Sequence, residues 1–138
     1  MLTDDEIRLK IAELKGWKYQ EQAPDGYNPA IKGWLKAPDG NEYFSGQWFT
    51  LFPDIVKNWP GDIAAAWGLA QEALDGGCQV SVNSPNWNDR GEPIPGWWVR
   101  MEIPLSDDSF YNIAHDGNSD TAARAICLAW LKWKGVEV

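Results

Sequence analysis

Apolar residues recur at helical spacing in three stretches of this chain, and they alternate with polar ones in the segments between the second and third. The last stretch is the strongest. Ala122, Ala123, Ile126, Ala129, Trp130 and Trp133 fall at intervals of three and four, and Cys127, Leu128 and Leu131 widen the stripe. That pattern predicts a core helix touching more than one layer. Ser119 or Asp120 is placed to cap its first turn, Gly135 to end it in the left-handed region, and Lys132 and Lys134 to complement its C-terminal dipole. The middle stretch, from Asp62 to about Leu74, sets Ile63, Ala66, Trp67, Ala70 and Leu74 on one apolar face and stops at Gly76-Gly77. The first opens on a capping box, Thr3 with Glu6, lines up Ile7, Ile11 and Leu14, and closes at Gly16, with Trp17 as a return contact.

The alternating segments read as strands. Cys78 to Val82 is one. Trp97 to Ile103 is the second, with Trp97, Val99, Met101 and Ile103 inward and Trp98, Arg100 and Glu102 outward. Ser109 to His115 is the third, reached through a turn at Pro104 to Asp108; Asn83 to Gly96 is a long polar loop. The C-terminal half is therefore ordered α-β-β-β-α, and its short connections suggest an antiparallel meander. The two long helices cover one sheet face. The other presents Gln79, Ser81, Trp98 and Arg100, and the apolar stripe of the first helix is expected to be buried there. The fold class expected is α+β: an α/β/α sandwich with a central antiparallel sheet and the N-terminal helix on the opposite sheet face.

Residues 22–60 break the pattern, in what is otherwise expected to be a single domain over 1–138. This irregular, aromatic-rich insert carries Trp34, Trp48 and Trp59. Lys18 to Glu21 before it reads as a short strand, and Pro24-Asp-Gly26 and Pro38-Asp-Gly40 are turn signals. Gly33 to Lys36 and Glu42 to Phe44 flank the second turn as a small hairpin, and Gln47 to Leu51 reads as another strand.

Composition narrows the function classes. The length, 138 residues, suffices for a core without metals or disulfides. The net charge is −8, and the twelve Lys and Arg are scattered, which argues against general nucleic-acid binding, since phosphate contact needs a basic field. No apolar run approaches the roughly 18 residues of a membrane span, and the acidic start is unlike a signal peptide, so a cytosolic location is expected. Cys78 and Cys127 lie in apolar patterns without metal-ligand spacing and read as reduced core fillers. Ten Trp are more than a single core of this size absorbs, so some are expected on a contact surface.

Asp62-Ile-Ala-Ala-Ala-Trp67, Asp120-Thr-Ala-Ala-Arg-Ala-Ile-Cys-Leu-Ala129 and Ile11-Ala-Glu-Leu-Lys-Gly-Trp17 occur in an order that resembles the phage ABA sandwich domain. The resemblance covers the first helix and residues 60–138. It implies an α/β/α sandwich, a phage or prophage origin and hence the host cytoplasm; it implies no reaction and no catalytic residue. The α-β-β-β-α order also resembles double-stranded RNA-binding domains, but the entry to the last helix reads Ser119-Asp120-Thr121 where those domains need lysines.

Signs of catalysis are thin. His115, Asp116 and Asp120 form no convergent ligand set, and Asp116 to Asp120 starts like a calcium loop but has Thr121 and Cys127 at the positions that need Gly and Glu. No phosphate loop, dinucleotide fingerprint or nucleophile elbow is present. Neither an enzyme nor a cofactor is expected. The first binding reading is an accessory protein that sequesters a nucleotide-like immune signal of the infected host, by stacking on Trp and gripping phosphates with Arg. Its candidate ligand residues are Trp87, Arg90, Trp98, Arg100 and Asn112. The second is an acidic protein that inhibits a host defence factor by occupying a basic surface, as a nucleic-acid mimic would. The third is a structural or homo-oligomerisation module.

Overall fold

The computed structural model describes residues 2–20, 33–45, 56–104 and 112–138. In chain order its elements are α1 (Asp4–Leu14), β1 (Lys18–Gln20), β2 (Gly33–Lys36), β3 (Glu42–Ser45), α2 (Ile63–Asp75), β4 (Gln79–Asn83), β5 (Asn86–Trp87), β6 (Pro93–Ile94), β7 (Trp97–Pro104), β8 (Asn112–Ser119) and α3 (Ala122–Trp133). The fold is α+β, with antiparallel pairing throughout the described strands. Two compact units emerge: Met1–Ile7 with Trp59–Val138, and Arg8–Asn58.

In the larger unit, β7 is the centre of a sheet ordered β4-β7-β8. Its alternation holds: Val99 and Met101 are fully buried, while Trp98, Arg100 and Glu102 take the other face. Trp97 stays 36% exposed at the strand's start, so the inward set is narrower than its pattern suggests. The third strand runs further than expected, to Ser119, which pairs with Trp97; the residues read as its beginning, 109–111, and the preceding turn at 105–108 lie outside the described residues. Because the strand continues, the cap moves. Thr121, not Ser119 or Asp120, is the N-cap of α3, and its Oγ1 accepts from the Arg124 N–H at 3.3 Å.

Helix α3 packs on β7 and β8 and buries Ile126, Cys127, Trp130 and Leu131. Each large side chain so buried contributes about 1.5–3 kcal/mol by removal from water. The approach is close enough to dictate a residue on the facing strand. A Cβ at Gly117 would lie 2.2 Å from the Ala125 carbonyl oxygen and 2.5 Å from the Ala129 nitrogen. Glycine is therefore required there by backbone contact, which is what a glycine inside a strand often marks. Gly135, at φ +87°, ends α3 in the left-handed region as expected.

Helix α2 is capped by Asp62, whose Oδ1 accepts from Ala64 N–H at 2.9 Å. It buries Ala66, Leu69, Ala70 and Ala73 against α3 and β4. Ile63, Trp67 and Leu74, expected on the same buried face, are exposed instead. The polar connection between β4 and β7 is more ordered than a loop: β5 and β6 form a two-residue ladder, and Ser84 Oγ donates to the Gly96 carbonyl at 3.0 Å across its base.

At the N-terminus the capping box forms as read, with Thr3 N–H to Glu6 Oε2 and Glu6 N–H to Thr3 Oγ1 both at 3.2 Å. The smaller unit holds the sheet β1-β2-β3, and its hairpin turns at Pro38-Asp-Gly40 as the sequence indicates. Arg8 is buried in this unit, donating Nε to the Lys57 carbonyl at 2.9 Å and Nη2 to the Val56 carbonyl. The turn at Pro24 to Gly26 and the strand at Gln47 to Leu51 fall outside the described residues.

Candidate functional site

The open face of the β4-β7-β8 sheet places charged and aromatic groups side by side because antiparallel register fixes who sits opposite whom. Ser81, Arg100 and Asp116 share one row; Asn83, Trp98 and Asn118 share the next. Arg100 grips Asp116 with two bonds, Nε to Oδ1 at 2.8 Å and Nη2 to Oδ2 at 3.1 Å. Its Nη1 lies 3.5 Å from Glu102 Oε1, and its Cζ stands 5.3 Å from the centre of the Trp98 ring. The Asp116 hydrogen bond and charge make the guanidinium hold its proton more tightly than usual, against an opposing effect of burial and with a lesser contribution from Glu102. The pair is 38% and 36% exposed, so water screens it and its net worth is at most about 1 kcal/mol. Its effect on recognition is larger. One positive charge faces two negative ones, and one face of the Trp98 ring is already covered.

The five residues singled out from sequence therefore do not form one cluster. Trp98 and Arg100 touch. Asn112 pairs with Pro104 at the opposite end of the sheet, about 20 Å from the Trp98 row at ~3.3 Å per residue. Trp87 and Arg90 belong to the β5–β6 hairpin, where the Asn88 side chain accepts from the N–H groups of Arg90 and Glu92 and shapes the turn. Both are exposed.

A cleft of about 810 Å³ opens where α2 and α3 begin, lined among others by Asp4, Ile63, Asp120, Thr121, Arg124 and Leu128. Its size suits a small molecule. Its charged groups already have partners within the chain: Arg124 bonds Asp4 Oδ1 at 2.8 Å and the Leu2 carbonyl, and Asp120 accepts from the Ser119 hydroxyl at 2.9 Å.

The feature that sequence reading missed is on α2. At 100° per residue, Ile63, Trp67 and Leu74 fall within about 40° of one another. They are 53%, 52% and 43% exposed and set an apolar ridge along one side of the helix surface. A signal was present. The small residues Ala66, Ala70 and Ala73 gather on their own arc, as they do where a helix approaches a neighbour closely, and the large ones lie beside it. Merging the two arcs into a single face hid the ridge.

No arrangement for covalent or acid–base chemistry accompanies these surfaces among the described residues. His115 and Asp116 are neighbours on one strand and point to opposite faces, and Asp116 is held by Arg100. Burial pushes the thiols of Cys127 and Cys78 up, away from the reactive thiolate, with Lys134 opposing the shift slightly at Cys78. No three His, Cys, Asp or Glu side chains gather as a metal site among the described residues, and no helix among them is long and apolar enough to cross a membrane. Comparisons with protein-family profiles, with curated proteins and with solved structures return no match, so the likeness to the phage ABA sandwich domain rests on the helix motifs alone.

Proposed function

We propose that this chain is a non-catalytic binding protein whose target is another protein: an acidic inhibitor that covers a basic, partly apolar surface. In the phage setting that the helix motifs imply, the target is a host defence factor in the cytoplasm of the infected cell. The observation that carries this reading is the exposed ridge Ile63, Trp67 and Leu74 on a chain of net charge −8. Apolar surface of that kind, rimmed by polar residues, marks protein contact sites. The arginines support the choice. Of the four, Arg8, Arg100 and Arg124 are engaged by carbonyl or carboxylate groups of the chain itself, which leaves Arg90 on the hairpin. A phosphate-bearing ligand at Arg100 would have to displace a bidentate carboxylate.

The test is capture from a bacterial lysate on the immobilised chain, at low salt and at about 0.5 M salt, where exposed charge pairs are screened. Enrichment of basic proteins that high salt releases is the expected result. Salt-insensitive capture, or none, overturns it. The second reading, a small ring-containing ligand, is favoured by the cleft at the helix starts, whose size suits a small molecule. Saturable Trp quenching by one member of a nucleotide panel, with its mass bound in native mass spectrometry, would establish that reading in place of the first.

A further inference from the structure

The three-stranded sheet β4-β7-β8 ends in β8, and β8 pairs with β7 through all eight of its residues without a bulge. In an antiparallel ladder successive residues aim their N–H and C=O groups alternately to the two sides, so about half of those on β8 point away from β7. Edge strands are ordinarily protected by brevity, by Pro or Lys, or by a bulge. β8 has none of these, and its one carboxylate, Asp116, is held by Arg100. β4, at the opposite edge, is five residues long and meets Pro85 two residues after its end.

A groove of about 700 Å³ runs along the outer edge of β8. It is bordered by Ala114, His115 and Asp116 of that strand, and by Lys132, Val136 and Val138 at and beyond the end of α3. Three consecutive residues span both faces of a strand, and no described β7 residue joins them, so the border is the strand's edge and neither of its faces. One wall is therefore main chain, and the other is partly apolar. Val138 is 42% exposed, and Ile113, the next residue along β8, is 46% exposed. Gly117 faces α3, so Ile113 and His115 lie on the helix side of the sheet and Ala114 on the open side.

We infer that the outer edge of β8 takes up an extended segment of the partner protein as a fourth strand, main chain to main chain, with its apolar side chains toward Ile113 and Val138. This rests on the protein-binding reading above and names how the partner is held. Unpaired main-chain groups on one wall select an extended segment, because only a strand satisfies them in series. A second copy of this chain fits less well. Joining two β8 strands about a two-fold axis sets both α3 helices on the same side of the joined sheet. Helix α3 touches the main chain of β8 at Gly117, so the two helices would stand about one strand spacing apart, ~4.8 Å, where packed helices need about 8–10 Å. A lone segment brings no helix with it.

The probe is a fluorescein-labelled peptide of about seven residues that alternates valine and threonine, with two counterparts N-methylated at every valine or at every threonine. Binding to the full chain is read by fluorescence polarisation. Only one edge of an added strand faces β8, so one counterpart is expected to bind at least about tenfold more weakly than the parent and the other to keep its affinity. Ile113→Lys and Val138→Lys, which set a charge beside the groove, are each expected to weaken the parent peptide by about tenfold or more. Gln79→Lys, on the opposite edge strand, is expected to leave it unchanged. Hydrogen exchange should slow at β8 amides in the bound state and not at those of β4, and thermal melts of each variant show that the fold is kept. Equal binding of all three peptides, protection of β4 in place of β8, or unaltered binding by both Ile113→Lys and Val138→Lys overturns the proposal. So does a concentration-dependent dimer that Ile113→Lys abolishes, which would make the second copy the occupant. If the peptides fail while salt-sensitive capture from lysate persists, the β8 edge is the wrong surface and the protein-binding function stands; if both fail, both readings fall.

Discussion

Helices α2 and α3 are close in length and apolar character, pack on each other, and contribute in opposite ways. Helix α3 turns Ile126, Trp130 and Leu131 inward and lies so near β8 that only glycine fits at position 117. Helix α2 turns alanines and Leu69 inward and holds Ile63, Trp67 and Leu74 out to solvent. The difference teaches that apolar content identifies a helix but not its orientation. Orientation follows the distribution of volume around the helix, since a close neighbour admits small side chains and leaves the large ones to point elsewhere.

The contrast is sharpest at Gly117. Gly117→Ala would drive a methyl into the backbone of α3, which no rotamer change can relieve, and is expected to cost about 4 kcal/mol or more, read as loss of cooperative urea unfolding. Ile126→Ala, on the buried face of α3, should lower stability by about 3 kcal/mol in the same titration. A helix whose inward face mattered no more than the outer arc of α2 would lose far less.

High pH probes the same interior. The Cys127 thiol has its pKa raised by burial above the ordinary value of 9.0. The unfolded chain therefore releases that proton first, and the stabilising effect of the neutral thiol, complete below pH 9.0, is lost as pH rises through the folded pKa. Between pH 9.0 and the folded pKa, stability should fall by about 1.4 kcal/mol per pH unit for this thiol, with Cys78 adding to the slope, and Cys127→Ala should reduce the slope. Thr121→Ala removes the cap of α3 and should cost about 1 kcal/mol in chemical denaturation. Trp67→Ala is the far end of the series: its effect on stability should stay within about 0.5 kcal/mol, although it is the largest side chain of α2. A loss of several kcal/mol there would mean that Trp67 belongs to the core and that the two helices are alike.

Much of this was legible in the sequence where the determinants are local. The Thr3–Glu6 capping box, the hairpin at Pro38 to Gly40, the alternation along β7 and the stop at Gly135 each depend on residues within a few positions of one another. What failed depended on distant partners. Thr121 displaces Ser119 as the cap because β8 stays paired with β7 through Ser119. Trp98 and Arg100 were correctly placed on one face, but that Asp116 would clasp the arginine follows from register, which no local pattern encodes. Asn112 was grouped with them for its polarity, and the same register sets it at the other end of the sheet.

The alanine seam of α2 has a consequence for how this surface can change over time. Ala66, Ala70 and Ala73 are fully buried beside Leu69, so three of the four side chains that seat α2 on its neighbours are single methyl groups, with almost no slack for substitution. The outer arc is under no such constraint. Residues at 63, 67, 71, 74 and 75 can drift without disturbing the seam, and a lineage could exchange one target for another by rewriting five positions on a platform that stays still.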